Sequence, residues 1–380
     1  MSFWIILYFV FTIIYTVQYL LKDKDREFCI YIVLFIIWFV GAFRYNIGVD
    51  YISYETRYDI INTYSIPSLS IIGSDGEPTF VLTSIILNYL GFGPQMLFVV
   101  YHTIIIAFLY LGIKKYSTNN FIAILALLLY VAYPVEGGFF WDMNGMRQAA
   151  ACSIFFWGSH FLQQKDIKKF ILVSVVAVLF HYSAIIGFLI LLLRNKNISF
   201  VLINILCVCG FLFNALGITE QFTMSIIQIV TSYIEKYEVT GLAQIQIVRF
   251  SLFAFAVYIL YVVARLKIGK YVDTLVLNCS FVYVLLRIYT SFGSSESILS
   301  AIMHRPEAYF LPFFFIIVSY FIYSLVFVKK KKILLFVLSC LYLVAINIYG
   351  LRYIYNSQFI LPIGLVNTNI DYCVRFDLFR

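Results

Sequence analysis

The sequence predicts an all-α, polytopic integral membrane protein with about 10–12 transmembrane or re-entrant helices. Three observations carry that prediction. Hydrophobic residues make up 63% of the chain and charged ones only 12%, against roughly half and a quarter in soluble domains. Mean hydropathy is +0.93. The apolar residues also form long blocks, such as Phe3–Leu21 and Val201–Leu216, close to the ~20 residues of a bilayer crossing.

Spans are expected near 3–21, 28–43, 96–113, 120–133, 149–164, 198–217, 247–264, 272–290, 308–328 and 333–351. The first lacks a basic leader and a small-residue cleavage site, so it reads as a retained helix. Two further apolar stretches, 79–92 and 170–193, are ambiguous: the first is short and ends in Gly91-Phe-Gly-Pro94, the second is long with His181 inside it. No soluble domain is inserted and no repeat is visible, so 1–380 reads as a single transmembrane domain.

The net charge of +8 does not point to nucleic acid, because the positive residues are not gathered on one polar domain. They form short clusters between apolar blocks: Lys22/Lys24/Arg26, Lys114/Lys115, Lys165/Lys168/Lys169, Arg194/Lys196, Arg265/Lys267/Lys270 and Lys329–Lys332. That is the bias of cytoplasmic loops. If every apolar run crossed once, the second and third clusters would lie outside. If 79–92 dips or lies flat and 170–193 enters and returns, all six become cytoplasmic, and we adopt that topology. Outer loops then fall near 44–78, 134–148, 218–246 and 291–307, with an outer tail at 352–380.

Four polar clusters could carry chemistry. In Phe43-Arg-Tyr-Asn-Ile-Gly-Val-Asp-Tyr-Ile-Ser-Tyr54, Arg44 offers a planar fork suited to phosphate or carboxylate. Gly48 permits a turn that could bring Asp50 back to it; a structural Arg44–Asp50 pair is the alternative. In Trp141-Asp-Met-Asn-Gly-Met-Arg-Gln148, Asn144 is expected to cap a helix whose first turn holds Arg147 and Gln148. A cation there opposes the helix dipole, which favours an anion beside it; snorkelling of Arg147 to headgroups is the alternative. His181 is an ionisable group deep in an apolar run, whereas His102 and His160 show no polar company in the sequence. Met303-His-Arg-Pro-Glu307 could bind a phosphate or move a proton through His304 and Arg305. Arg249 and Arg287 add positive charge near the outer ends of their spans. No phosphate-loop, dinucleotide, HExxH or GxSxG pattern is present, so neither a metal nor another cofactor is expected.

The string 43–54 followed by Glu77, then Asn144-Gly-Met-Arg-Gln-Ala-Ala-Ala151, the lysines at 165–169 and Leu179-Phe-His-Tyr-Ser-Ala184 together resemble the EpsG-like group of bacterial polysaccharide polymerases. The resemblance runs over roughly residues 40–195 and returns weakly at 304–310. It implies a Wzy-type O-antigen, capsule or exopolysaccharide polymerase, with a metal-independent, multi-span (GT-C-like) glycosyltransferase architecture. Such an enzyme works in the bacterial cytoplasmic (inner) membrane. It transfers a growing glycan from undecaprenyl diphosphate to a new lipid-linked repeat unit on the outer face. Donor and acceptor glycans, the bilayer, a chain-length regulator and a flippase are the partners implied. Carried over, Arg44, Asp50, Tyr51, Glu77, Asn144, Arg147, Gln148 and His181 are the expected site residues, with His304 and Arg305 less closely matched. His181, His304, Glu77 and Asp50 stand as catalytic candidates, and the sequence does not choose a base among His181, His304 and Glu77. An O-antigen ligase or other membrane transferase, or a flippase or transporter, are the competing readings. The outer loops are modest for a ligase, and the paired halves common in transporters are missing.

Overall fold

The computed structural model describes residues 2–48, 50–63, 76–133, 138–194, 197–216, 244–291, 298–328 and 373–374. It is mostly helical, as expected. The segment 333–351, expected as a span, and most of the stretches 218–246 and 352–380 lie outside the described residues. The chain divides into two compact units, 1–187 with 322–380, and 188–321.

The first unit opens with α1 (Ser2–Leu20) and α2 (Asp23–Ala42). Strand β1 (Arg44–Tyr45) then pairs antiparallel with β2 (Cys373–Val374). The predicted outer stretch 44–78 contains a helix, α3 (Tyr51–Thr63). Helix α4 (Pro78–Tyr89) starts on Pro78, whose missing N–H costs nothing in a first turn. It ends where Gly91 takes φ +79, the left-handed conformation glycine adopts freely. Its 12 residues span about 18 Å at 1.5 Å per residue, well short of a bilayer core. Helix α5 (Pro94–Tyr116) closes on Lys114 and Lys115, which complement its dipole.

Helix α6 (Asn120–Ala132) is capped by Asn119, whose side chain accepts from the Ile122 N–H at 3.0 Å. Every residue from Phe121 to Ala132 is buried, as befits a helix apolar on all sides. The short α7 (Phe139–Asn144) leads through Gly145 into α8 (Met146–Gly158) and α9 (His160–Gln163). Helix α10 (Ile167–Phe180) is capped by Asp166, which accepts from the Lys169 N–H at 3.1 Å. The long apolar run 170–193 is therefore not one helix. It breaks at His181, which is extended at φ −159, and resumes as a 3-10 turn over Tyr182–Leu189 and α11 (Ile190–Leu193).

Helix α5 packs most extensively on α8, and α2 packs on α5 and α6. Close approach depends on small residues: a Cβ at Gly112 would strike the Phe156 ring, and one at Gly158 would meet Val173 of α10. At the Lys-rich end, Tyr116 donates to Ser159 Oγ at 2.5 Å while that hydroxyl donates to the Phe156 carbonyl.

The second unit contains α11, α12 (Phe200–Ala215), α13 (Gln244–Ile268), α14 (Thr274–Thr290) and most of α15 (Ile298–Tyr323). Side-chain amides tie it together. Asn214 donates to the Ile288 carbonyl at 2.5 Å, and Asn278 donates to the Leu193 carbonyl at 2.7 Å. In an apolar surrounding, each such donor needs a partner within the protein.

Several helices present apolar side chains outward in a helical stripe. On α1 the exposed residues are Ile6, Phe9, Ile13, Val17 and Leu20; on α13 they are Leu252, Phe255, Ile259, Val263 and Leu266. Stripes of this kind mark surface built for an apolar solvent rather than water. Among the described residues, Pro94–Tyr116 and Arg305–Phe327 are long and apolar enough to cross a membrane unaided, and six shorter apolar helices accompany them.

Candidate functional site

Three predicted residues from three separate motifs meet in the first unit. Glu77 sits at the N-cap position of α4, yet its side chain caps no N–H of that helix. Its carboxylate is 8% exposed; Oε2 pairs with Arg147 Nη1, and Oε1 lies 3.6 Å from His181 Nε2. Arg147 stands in the first turn of α8, where the helix dipole opposes a cation, and Glu77 supplies the compensating charge.

The guanidinium lies over two rings, 5.5 Å from the Tyr54 centroid and 5.3 Å from that of Phe80. Gly76 gives it room, since a Cβ there would come within 3.4 Å of Nη1 and 3.2 Å of the Phe80 ring.

His181 occupies the break after α10. Its Nδ1 accepts from the Ser183 N–H at 3.2 Å and lies 2.7 Å from Ser183 Oγ. A backbone N–H can only donate, so neutral His181 must carry its proton on Nε2, the nitrogen facing Glu77. Thr79 fastens α4 to this break by donating to the Leu179 carbonyl at 2.9 Å.

Two buried polar atoms at the site have no hydrogen-bond partner: Arg147 Nε and the Tyr101 hydroxyl. Tyr101 is fully buried, with its ring edge-on to Phe180 at 5.8 Å and 6.4 Å from Phe80. Buried polar groups are normally satisfied, so donors left open beside an Arg–Glu–His set suit a ligand rich in acceptors. Burial pushes the Tyr54 phenol up from its usual range, with the Arg147 charge working against that shift. Tyr54 therefore stays a neutral donor beside the guanidinium.

Arg44 is used differently. It is fully buried and donates to the carbonyls of Gly41 at 2.6 Å, Ile47 at 3.1 Å and Met143 at 2.7 Å. Its Nη1 lies 3.2 Å from His102 Nε2, and its carbon sits 4.5 Å from the Phe98 centroid. His102 in turn places Nδ1 3.0 Å from the Phe98 carbonyl, which assigns the proton to Nδ1 and leaves Nε2 to accept from Arg44. The sequence showed no polar company for His102; a residue 58 positions away provides it. The fork of Arg44 thus holds main chain together.

Tyr51 belongs to the same core. It stacks on Phe98 at 4.7 Å and donates to Glu55 at 3.1 Å, with Gln95 Oε1 at 3.4 Å. Gly48, at φ +99, makes the expected turn, and the turn delivers the Asp50 N–H to Asn144 Oδ1 at 3.0 Å. The Asp50 side chain is exposed. Asn144 therefore does not cap α8. It ends α7, its side chain anchors the 46–50 turn, and Gly145 stands at the cap of α8. Gln148 is buried in α8. Nearby in α7, Asp142 is buried and accepts from the Tyr130 hydroxyl, and burial pushes its carboxyl well above the usual range.

In the second unit, Arg287 and Glu307 form a buried pair at 3.2 Å, and Thr290 donates to Glu307 at 2.5 Å. Arg287 also lies 5.2 Å from the Phe253 centroid. Arg287 and Glu307 thus meet from two different helices. Arg305 is exposed. Arg249 and His304 lie on α13 and α15, with side chains outside the described residues. Among the described residues, no three His, Cys, Asp or Glu side chains converge to hold a metal ion.

Reading the sequence missed Tyr101, Thr79 and the part played by Tyr54. The burial of Tyr51, Tyr54, Tyr58 and Ile61 follows helical spacing, a signal present within a stretch taken as loop. Tyr101, inside an apolar span, left no such trace.

A mostly helical membrane protein with an acid, an arginine and a histidine enclosed among aromatic rings is the class that fold and site define. The EpsG family model matches residues 27–363, nearly the whole chain, and the protein belongs to that family. No curated protein and no solved structure matches it. The membership associates it with polysaccharide polymerases and glycan processing at a membrane.

Proposed function

We propose that the protein polymerises undecaprenyl-diphosphate-linked oligosaccharide repeat units into a surface polysaccharide, by glycosyl transfer on the outer face of the bacterial cytoplasmic membrane. The observation that carries this reading is the Glu77–Arg147–His181 cluster with its open donors on Arg147 and Tyr101. Arg147 would hold the donor's diphosphate and stabilise the charge that develops as it leaves. An acceptor sugar hydroxyl would attack the anomeric carbon, its proton passing to Glu77 while the bond to the diphosphate breaks. His181 is the weaker base candidate, because its Nε2 already carries a proton; it would steady the Glu77 carboxylate. Arg44, Tyr51 and Asn144 hold the neighbouring chain in place. The multi-span, GT-C-like kinship and the partnership with a flippase and a chain-length regulator belong to the same proposal.

Deleting the gene and running the surface glycan on a gel tests it. The expected profile is single repeat units on the surface and no ladder. An intact ladder would overturn the assignment, and repeat units that fail to reach the outer face would point to a flippase.

A further inference from the structure

We propose that Glu77 is a displaceable internal counter-ion, one that holds Arg147 until the substrate's diphosphate takes its place and frees the carboxylate to act as base. The proposal rests on the functional reading above and adds to it an order of events.

Four features of the site support it. Arg147 Nη1 is already engaged by Glu77 Oε2, so an arriving diphosphate would meet a like charge on the same guanidinium, and one anion must give way. Glu77 makes no cap bond to α4, so its side chain can swing without unwinding that helix. Its second oxygen faces His181 Nε2 across 3.6 Å, longer than a hydrogen bond, so a small rotation brings the carboxylate onto a donor already waiting. The Ser183 N–H keeps the His181 proton on that nitrogen. Finally, Arg147 Nε and the Tyr101 hydroxyl are buried and unpartnered while Glu77 is in place. Both are donors that a diphosphate, rich in acceptors, could satisfy and that a single carboxylate does not.

The consequence is ordered assembly. While Glu77 sits on Arg147, its Oε2 is occupied by the guanidinium. Once the diphosphate is seated, the carboxylate is held by the weaker His181 donor and can take the acceptor's proton. The proton moves from the sugar hydroxyl to Glu77 as the oxygen–carbon bond forms, and the electrons of the broken bond leave with the diphosphate.

The test measures binding of farnesyl diphosphate, a sugar-free lipid diphosphate, to the purified full-length protein, alongside polymerisation. Glu77→Gln should bind it about 10-fold more tightly than the wild type, the change expected when a competing anion is removed, yet polymerise at least ~100-fold more slowly. Arg147→Gln should lose binding. If Glu77→Gln binds no more tightly while Arg147→Gln still loses binding, the counter-ion proposal fails and the site assignment stands. Wild-type binding by Arg147→Gln would sink the site assignment itself. Should Glu77→Gln not accumulate, Glu77→Asp gives the same comparison, because its shorter carboxylate reaches Arg147 less well. About threefold tighter binding supports displacement, and unchanged affinity overturns it.

Discussion

Arg44 and Arg147 look alike in sequence, each near the predicted outer end of a span with a polar neighbour two or three residues away. Arg44 turns its donors to three carbonyls and His102, whereas Arg147 meets the Glu77 carboxylate and keeps Nε open. The two should fail differently. Arg44→Lys removes the fork and orphans buried carbonyls, at about 1–3 kcal/mol each; it should lower the unfolding temperature in detergent and cut the yield of folded protein. Arg147→Lys keeps the charge and should leave folding near wild type while slowing polymerisation ~100-fold or more. Asp142 gives a pH signature. Its carboxyl is raised in the folded state by burial, so its contribution to stability is fully present below the unfolded value of about 4 and is lost as pH rises through the raised one. The unfolding temperature should therefore fall from acid towards neutral pH, and Asp142→Asn, which can still accept from Tyr130, should flatten that slope.

At the scale of elements, the long apolar helices were legible because composition and length alone identify them: α1, α2, α5, α6 and α12 lie within a few residues of the predicted spans. The helix α3 was not, because a stretch with Glu55, Arg57 and Asp59 reads as solvated loop unless the tyrosine spacing is followed. Nor could the sequence show that the run 170–193 breaks at His181, since the break depends on a local bond to Ser183 and on Thr79 from α4. The motifs around Glu77, Arg147 and His181 were each visible, but their convergence, like the pairing of Arg44 with His102, depends on packing over more than 50 positions. The joint between α2 and α5 can be tested directly. A Cβ at Gly41 would collide with the His102 ring, so Gly41→Ala should destabilise the protein by about 1–3 kcal/mol. Thermal unfolding would show this, and adding His102→Ala should recover part of the loss.

For the whole molecule, the outward apolar stripes and the EpsG membership agree on a membrane setting. The basic clusters orient the proposed topology, in which Lys115 and Lys169 face the cytoplasm. Reporter fusions after each should give a cytoplasmic signal, and an external signal at both would contradict the re-entrant arrangement. In the proposed function a lipid-diphosphate-linked glycan is polymerised at the cluster built on Glu77, Arg147 and His181. The most direct measurement incubates purified wild-type and Arg147→Lys protein with polyprenyl-diphosphate-linked repeat units and resolves the products by length. The wild type should give a ladder and the equally well-folded variant almost none. Equal ladders from both, or none from well-folded wild type, would overturn the assignment.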